Sequence, residues 1–149
     1  MGGGGGLVYV MRRPDRVRSI CAVFPTTDFT QWSQESAGAG YIDGIAKAHG
    51  VAATDVAPVL QSLSAMQHTA SFADIPVLLI HGDADLIVPV HHSRDFAAAL
   101  KKQGSMVIYH EIQGVGHDSV IAKPFQLEIA DFLTDTAGPG TNKSFKSSN

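Results

Sequence analysis

Residues 75–89 read IPVLLIHGDADLIVP, and this stretch decides the fold class. The run from Ile75 to Ile80 lacks the polar alternation of a half-exposed strand, which is typical of a parallel strand buried on both faces. It ends in His81-Gly82, and the acidic side chains of Asp83 and Asp85 follow at once. Open α/β sheets place their sites on the loops that leave the carboxyl ends of strands. The chemistry of this chain is therefore expected on this loop.

Two further apolar runs predict strands at Val17–Val23 and Met106–Tyr109. Between and after them, the apolar residues follow the spacing of helices. The helical stripes are Phe96, Ala99, Leu100 and Gln103, closed by Gly104, and then Phe125, Ile129, Phe132 and Leu133, opened by Pro124. This alternation of strands and helices predicts an α/β fold with about three parallel strands and flanking helices.

Residues 27–74 interrupt the alternation and predict a small helical insertion over one end of the sheet. One short helix is expected over Tyr41–His49. A second is expected after a cap at Thr54 or Asp55, with Pro58 in its first turn. The single domain then covers residues 1–136, and the small, polar residues 137–149 are expected to form a flexible tail.

Composition excludes several classes of function. The chain has 149 residues, 44% of them hydrophobic, which is enough for one domain with a buried core. Its net charge of −3 argues against a nucleic-acid partner. No apolar stretch approaches the roughly 20 residues that cross a bilayer, so no membrane partner is expected either. The single cysteine, Cys21, cannot form an internal disulfide, and its apolar strand neighbours predict an unreactive thiol.

The seven histidines do not predict a metal site. His91 and His92 are adjacent and are expected on different faces of a helix. No spacing joins them to His81, His110 or His117 in a ligand pattern. We therefore predict neither a metal ligand nor a cofactor.

An acid and a base stand on two neighbouring loops. Asp85 lies on the loop that leaves one predicted strand. His117 follows Gly116 on the loop that leaves the next predicted strand along the chain. A carboxylate at that position would orient the imidazole and stabilise its protonated form, leaving the other ring nitrogen as a general base. Taken singly, Asp83 and Asp85 are also typical of turns, and His117 of a surface loop.

The span from Ile75 to Leu133 resembles the carboxyl-terminal part of the α/β-hydrolase superfamily, above all its esterases and prolyl-oligopeptidase-like members. Their acid follows the pattern His-Gly-x-x-Asp-x-x-Val-Pro. The resemblance implies a partial α/β-hydrolase fold in which Asp85 is the triad acid and His117 the triad histidine. Asp83 does not match the position of the acid. Some members of the superfamily carry the acid one strand earlier, so the resemblance makes Asp28 a second candidate, or Asp28 simply starts its loop. The implied substrate is a small ester or a peptide-like acyl compound.

The first residues are similar to the helix that follows the nucleophile elbow of that superfamily. Met1-Gly2-Gly3 precedes an apolar run and then Arg13-Pro14-Asp15. On this alignment the nucleophile lies one residue before Met1, and the backbone N–H of Met1 belongs to the oxyanion hole. An artificial glycine leader or a flexible tail is the alternative. Because glycine is a poor helix former, a loose first turn is expected in either case.

No other side chain replaces the nucleophile. Ser19, Ser93 and Ser119 do not stand in a Gly-x-Ser-x-Gly turn, and Cys21 lies mid-strand. The isolated chain is therefore expected to be almost inactive. The identity of the nucleophile stays open, because serine implies an esterase or peptidase and aspartate a dehalogenase or epoxide hydrolase.

Two hypotheses of function follow. In one, the chain is the acid-and-histidine half of a hydrolase, and in the other it is a non-catalytic binding or assembly module on the same scaffold. Phe29, Trp32 and Tyr41 line an acyl or aromatic pocket or serve core packing. The apolar strand Val17–Val23 is expected at an open sheet edge, where the chain self-associates or pairs in trans with a separate amino-terminal half.

Overall fold

The computed structural model describes residues 2–135, except for the side chains of residues 36 and 37. The predicted tail and the end of the domain at residue 136 lie outside the described residues. The strands are β1 (Ile20–Val23), β2 (Val77–Gly82) and β3 (Val107–Ile112). The α-helices are α1 (Gly2–Arg12), α2 (Phe29–Trp32), α3 (Ser36–Ala39), α4 (Ile42–His49), α5 (Ala57–Leu63), α6 (His91–Lys102) and α7 (Gln126–Asp135). Short 3₁₀ helices cover Pro14–Arg16, Ala53–Asp55, Ala65–Phe72 and Ser119–Phe125.

The strands form one parallel sheet in the order β1-β2-β3, as the sequence predicted. Strand β2 lies between the other two and is buried along its whole length. It begins at Val77 rather than Ile75, since Pro76 has no N–H to give to the ladder. Strand β3 runs beyond Tyr109 to Ile112, because its last residues pair with the end of β2. Strand β1 is shorter than predicted and begins only at Ile20.

Alternate residues of β2 pack into two separate hydrophobic layers. Val77 and Leu79 lie in one layer with residues of α1 and α6, including Phe96. Leu78 and Ile80 lie in the other layer, together with residues of α7. Successive strand side chains point to opposite faces of a sheet, so a strand covered on both sides must be apolar throughout. The chain therefore has the helix–sheet–helix layering of a partial α/β-hydrolase fold.

The glycine-rich helix α1 packs its first turn against the end of β1. A β carbon at Gly3 would lie 2.5 Å from the carbonyl oxygen of Val23, and one at Gly4 would lie 3.2 Å from that of Thr26. The prediction of a loose first turn is wrong, because this close approach holds the glycines in helical conformation from Gly2 onward.

The insertion contains α2 to α5 and departs from the sequence prediction at one cap. Thr54 and Asp55 do not cap α5, because they lie in a separate 3₁₀ turn and the helix starts after Val56. Pro58 does occupy the first turn of α5. Likewise, Pro124 lies in the 3₁₀ helix that precedes α7 rather than opening α7 itself. Among the described residues, the helices are too short or too polar to cross a membrane.

Candidate active site

The carboxylate of Asp85 is buried on the loop that leaves β2. Its Oδ1 accepts hydrogen bonds from the backbone N–H groups of Ile87 (2.8 Å) and Val88 (2.9 Å). These two bonds compensate a carboxylate that would otherwise be costly to bury, and they aim Oδ2 away from the loop.

The imidazole of His117 meets that carboxylate from the loop after β3. Its Nδ1 lies 2.7 Å from Asp85 Oδ2, which is a short, charge-assisted distance. The bond to a carboxylate sets Nδ1 as the donor, so Nε2 is the nitrogen available to accept a proton. Within residues 2–135 no group forms a hydrogen bond with Nε2, and the side chain is about one-third exposed. The predicted contact between these two residues is present.

The loops that carry Asp85 and His117 are joined to each other by hydrogen bonds. The Ala84 N–H donates to the Val115 carbonyl (3.1 Å), and the Gly114 N–H donates to Asp83 Oδ1 (2.6 Å). Gly82 has no room for a β carbon, because one would overlap the carbonyl of Val115. Asp83 therefore ties the two loops together, and the acid contacting the histidine is Asp85, as the resemblance implied.

His81 lies beneath the pair and is fully buried. Its Nε2 is 2.9 Å from the carbonyl of Val88, which can only accept, so Nε2 carries the proton and Nδ1 accepts from the hydroxyl of Ser93 (2.7 Å). The same Nε2 is 3.3 Å from Asp85 Oδ2. Burial lowers the pKa of His81, which keeps the ring neutral as this tautomer requires. The sequence did not indicate this supporting role.

Phe24 was also missed by sequence reasoning. It follows β1 with a φ of 49°, in the left-handed region that a bulky side chain rarely adopts. Its ring lies against that of His117 (centroids 4.7 Å apart) and edge-on to that of His81 (5.5 Å). The unusual backbone thus places an apolar wall beside the imidazole. No local sequence pattern predicts a positive φ at a phenylalanine.

A cavity of about 700 Å³ opens beside His117. Its lining is mainly apolar and joins three parts of the chain: the start of α1, the acid loop and the insertion. Trp32 and Tyr41 stack with their centroids 5.1 Å apart, and the Trp32 indole N–H donates to the carbonyl of Ile87 (2.8 Å). The insertion aromatics Phe29, Trp32 and Tyr41 all line this cavity. Trp32 is also buried, so it both lines the pocket and contributes to core packing.

The remaining sequence candidates lie elsewhere or are occupied. Asp28 caps α2 by accepting from the N–H groups of residues 30 and 31, and it has no hydrogen bond to His117. Ser93 is buried and bonded to His81. Burial raises the pKa of the Cys21 thiol to about 11, in agreement with the predicted lack of reactivity. The oxyanion role expected of Met1 lies outside the described residues.

One expectation about the histidines is wrong. The rings of His91 and His92 stack with centroids 4.6 Å apart, and both face the carboxylate of Glu35. They do not diverge, because they stand in the first turn of α6, where no preceding turn restricts their rotamers. His110 instead pairs with Glu128 (2.8 Å).

Comparison with solved structures supports the fold assignment. A Mycobacterium tuberculosis puromycin-hydrolyzing peptidase is 22% identical, with a TM-score of 0.76 over 92% of this chain and 21% of that one. The Pyrococcus horikoshii acylaminoacyl peptidase is 16% identical, with a TM-score of 0.73 over 96% and 24%. A Paleococcus ferrophilus monoacylglycerol lipase is 17% identical, with a TM-score of 0.61 over 90% and 65%. The chain thus spans about a fifth to a quarter of the two peptidases.

No curated protein matches this sequence significantly. The sequence model of the prolyl oligopeptidase family, in contrast, matches residues 1–138. That match covers the sheet, its flanking helices, the insertion and both loops of the Asp85–His117 pair. The chain belongs to the prolyl oligopeptidase family, within the α/β-hydrolase fold.

Proposed function

We propose that this chain supplies the acid and the histidine of a catalytic triad that hydrolyses ester or peptide-like acyl bonds. The observation that carries the proposal is the 2.7 Å contact between His117 Nδ1 and the buried carboxylate of Asp85. It leaves Nε2 free to act and places the ring at the wall of a cavity. The membership of the chain in a hydrolase family agrees with this role.

In the proposed reaction, His117 takes up a proton and gives it away again in each of two successive steps. Nε2 takes the proton of a hydroxyl nucleophile as its oxygen bonds to the substrate carbonyl carbon. The same nitrogen then gives this proton to the leaving oxygen or nitrogen as its bond to that carbon breaks. In the second half of the reaction, a water molecule gives a proton to Nε2 as its oxygen bonds to the acyl carbon, and Nε2 passes this proton to the nucleophile oxygen as the bond between that oxygen and the acyl carbon breaks, which releases the acid. Asp85 stabilises the imidazolium in both steps, because its negative charge lies beside Nδ1.

The start of α1 is the proposed position of the nucleophile. Gly4 and Gly5 line the same cavity as His117, so a group just ahead of α1 would face the imidazole across it. Among the described residues, no hydroxyl or thiol forms a hydrogen bond with His117. The hydroxyl is therefore proposed at the position directly before Met1, as the family resemblance implies. Serine would make the reaction that of an esterase or peptidase.

The cavity favours substrates with a bulky apolar acyl group. Its lining includes Phe24, whose ring lies against His117, and the stacked pair Trp32 and Tyr41, which offer large flat apolar surfaces. Solved relatives include peptidases described as puromycin-hydrolyzing and as acylaminoacyl peptidases. We propose an aromatic or long-chain acyl ester, or an aminoacyl amide, as the substrate class.

Hydrolysis of p-nitrophenyl esters tests this function with a matched pair of variants. The 149-residue chain is compared with a longer polypeptide in which the sequence encoded upstream precedes Met1. We expect activity only in the longer form, since loss of a nucleophile costs roughly six powers of ten. In that form, Asp85→Asn should lower kcat on the order of 10³- to 10⁴-fold. Asp83→Asn makes the same chemical change on the same loop and should keep most of the activity.

Two results would contradict the proposal. One is a folded longer form that hydrolyses neither esters nor aminoacyl amides. The other is an equal loss of activity in Asp85→Asn and Asp83→Asn, since of these two aspartates Asp85 bonds to His117 and Asp83 bonds to Gly114.

A role in assembly is the second candidate, and the outer edge of β1 favours it. Within the described part of the chain, β1 pairs with β2 alone, so the edge from Ile20 to Val23 has backbone groups available for another strand. We propose that a strand from the amino-terminal half of the family fold pairs there, in the same polypeptide or in trans. Size-exclusion chromatography with light scattering tests the exposed edge. A monomer with a cooperative melting transition would contradict it, and a homodimer would favour self-association instead.

A further inference from the structure

Three side chains of types that can bind a metal meet where the insertion reaches the start of α6. Glu35 Oε1 is 2.8 Å from His91 Nε2, and Glu35 Oε2 is 3.4 Å from His92 Nε2. One ligating atom from each residue can be chosen so that all lie within 4.8 Å of one another. We propose that Glu35, His91 and His92 bind a divalent transition metal ion of the zinc class, separately from the Asp85–His117 pair.

The spacing suits a tetrahedral ion. Ligands at about 2.0–2.2 Å from zinc are roughly 3.4 Å apart from each other in a tetrahedron. The distance from Glu35 to His92 already has this value, the distance from Glu35 to His91 is shorter at 2.8 Å, and all three ligating atoms lie within 4.8 Å of one another. Two imidazoles and one carboxylate form a known type of zinc ligand set, with the fourth position left to water. Zinc, copper and nickel all accept imidazole readily.

The environment of the second ring nitrogen of His91, Nδ1, is an independent observation in favour of a metal. Its Nδ1 is buried and has no hydrogen-bond partner in residues 2–135. The carboxylate of Asp95, one turn further along α6, lies 3.9 Å from it. Metal-bound histidines usually donate their other ring N–H to a carboxylate, a backbone carbonyl or water. A metal on Nε2 would place the proton of His91 on Nδ1, where Asp95 can accept it.

Two features oppose metal binding but are weak. The Asp28 N–H lies 3.4 Å from His92 Nδ1, near the outer limit of a hydrogen bond, and metal binding at Nε2 would give up this contact. The first turn of α6 also carries the positive end of the helix dipole, which disfavours a cation. The carboxylate of Glu35 brings a full negative charge to the same point and outweighs that partial charge.

A hydrogen-bonded cluster without a metal is the competing explanation. In that arrangement, each histidine donates its Nε2–H to Glu35, which accounts for the two short distances. It leaves His91 Nδ1 buried without a bond, which is uncommon in folded proteins. A metal on Nε2 would put a proton on this buried nitrogen and give it Asp95 as an acceptor, and this difference makes the metal site the proposal to test.

A bound metal would hold the insertion residues that line the cavity beside His117 in place against α6. Glu35 lies shortly after Trp32, whose indole bonds the carbonyl of Ile87 in the acid loop. His91 and His92 belong to α6, which packs on the sheet. An ion bridging these parts stabilises the folded chain, because it binds the folded form and not the separated ligands.

Zinc titration of the 149-residue chain by isothermal calorimetry tests the site. We expect one Zn²⁺ per chain and a higher melting temperature in its presence. Glu35→Gln and His91→Gln keep side chains of similar size and should each weaken binding at least tenfold. His68→Gln removes an exposed histidine elsewhere, and His117→Gln removes the one in the candidate active site. Both should bind zinc as the parent chain does.

Cobalt substitution provides a second readout, since tetrahedral Co²⁺ with these ligands absorbs visible light and octahedral aqueous Co²⁺ does so far more weakly. The proposal is overturned if the folded parent chain binds no zinc at millimolar concentration. It is also overturned if Glu35→Gln and His91→Gln, shown to be folded by circular dichroism, bind as tightly as the parent. Loss of binding in His117→Gln would place the ion in the candidate active site instead.

Discussion

The α carbon of Gly82 lies so close to the carbonyl of Val115 that a β carbon at position 82 would overlap that oxygen. This contact brings the end of β2 against the loop that carries His117. The hydrogen bond from Ala84 to Val115 lies beside it. The distance between Asp85 and His117 therefore depends on a residue without a side chain.

Replacing Gly82 with alanine should separate these loops. We expect a loss of more than about 2 kcal/mol in the free energy of unfolding, because backbone rather than a flexible side chain must move. Urea denaturation measures this loss. Gly44→Ala is the control, since its β carbon meets nothing within 4 Å and alanine favours a helix by about 0.5–1 kcal/mol. Equal stability of the two variants would contradict the packing described here.

Ser93 should contribute to stability through its bond to His81. Ser93→Ala leaves the buried Nδ1 of His81 without a donor, and we expect a cost of about 1–3 kcal/mol in the free energy of unfolding. Ser62→Ala removes an exposed hydroxyl from α5 and should change stability by less than about 0.5 kcal/mol. A Ser93→Ala variant as stable as Ser62→Ala would show that the bond has no net value.

Stability should fall in mild acid because of His81. Burial lowers its pKa in the folded chain below the ordinary value of 6.5, so the unfolded chain takes up the proton first as the pH drops. The stabilisation of the folded chain by neutral His81 is fully present above pH 6.5. It is lost as the pH falls below 6.5, with a slope of at most about 1.4 kcal/mol in the free energy of unfolding per pH unit. Asp85 partly offsets the shift, and His117 adds to it.

Urea midpoints between pH 5 and 8, with a chelator present, measure this dependence. His81→Gln keeps a donor toward the carbonyl of Val88 and cannot titrate, so its midpoint should vary less with pH than that of the parent chain. If both proteins showed the same pH profile, the neutral buried state of His81 would be the wrong explanation.

Trp32 should affect substrate binding more than chemistry. Trp32→Phe keeps an aromatic ring beside Tyr41 and removes the bond to the Ile87 carbonyl. In the longer, active polypeptide we expect KM for aromatic acyl esters to rise by about 5- to 30-fold, which corresponds to about 1–2 kcal/mol. The kcat should change by less than threefold, as Trp32 does not contact His117. A selective loss of kcat would contradict its assignment to the cavity wall.

The two sequence errors nearest to the proposed sites have a common origin. The first turn of α1 was expected to be loose, and His91 and His92 were expected to diverge. Each expectation followed from a local rule, glycine propensity in one case and helical spacing in the other. Contacts with distant parts of the chain decided otherwise, through Val23 for α1 and through Glu35 for the histidines.

By itself the sequence determined that the chain forms a parallel α/β sheet and that Asp85 and His117 stand at the carboxyl ends of neighbouring strands. Apolar periodicity and strand order are local properties, and burial of apolar surface enforces them along the chain. Tertiary structure alone decided that Phe24 flanks the imidazole, that His81 and Ser93 support the acid, and that Glu35 reaches the histidines of α6. Phe24 and Glu35 are far along the chain from the histidines that they meet, and His81 meets Asp85 and Ser93 only because the loop after β2 folds back over the end of the strand. No periodic pattern encodes these contacts.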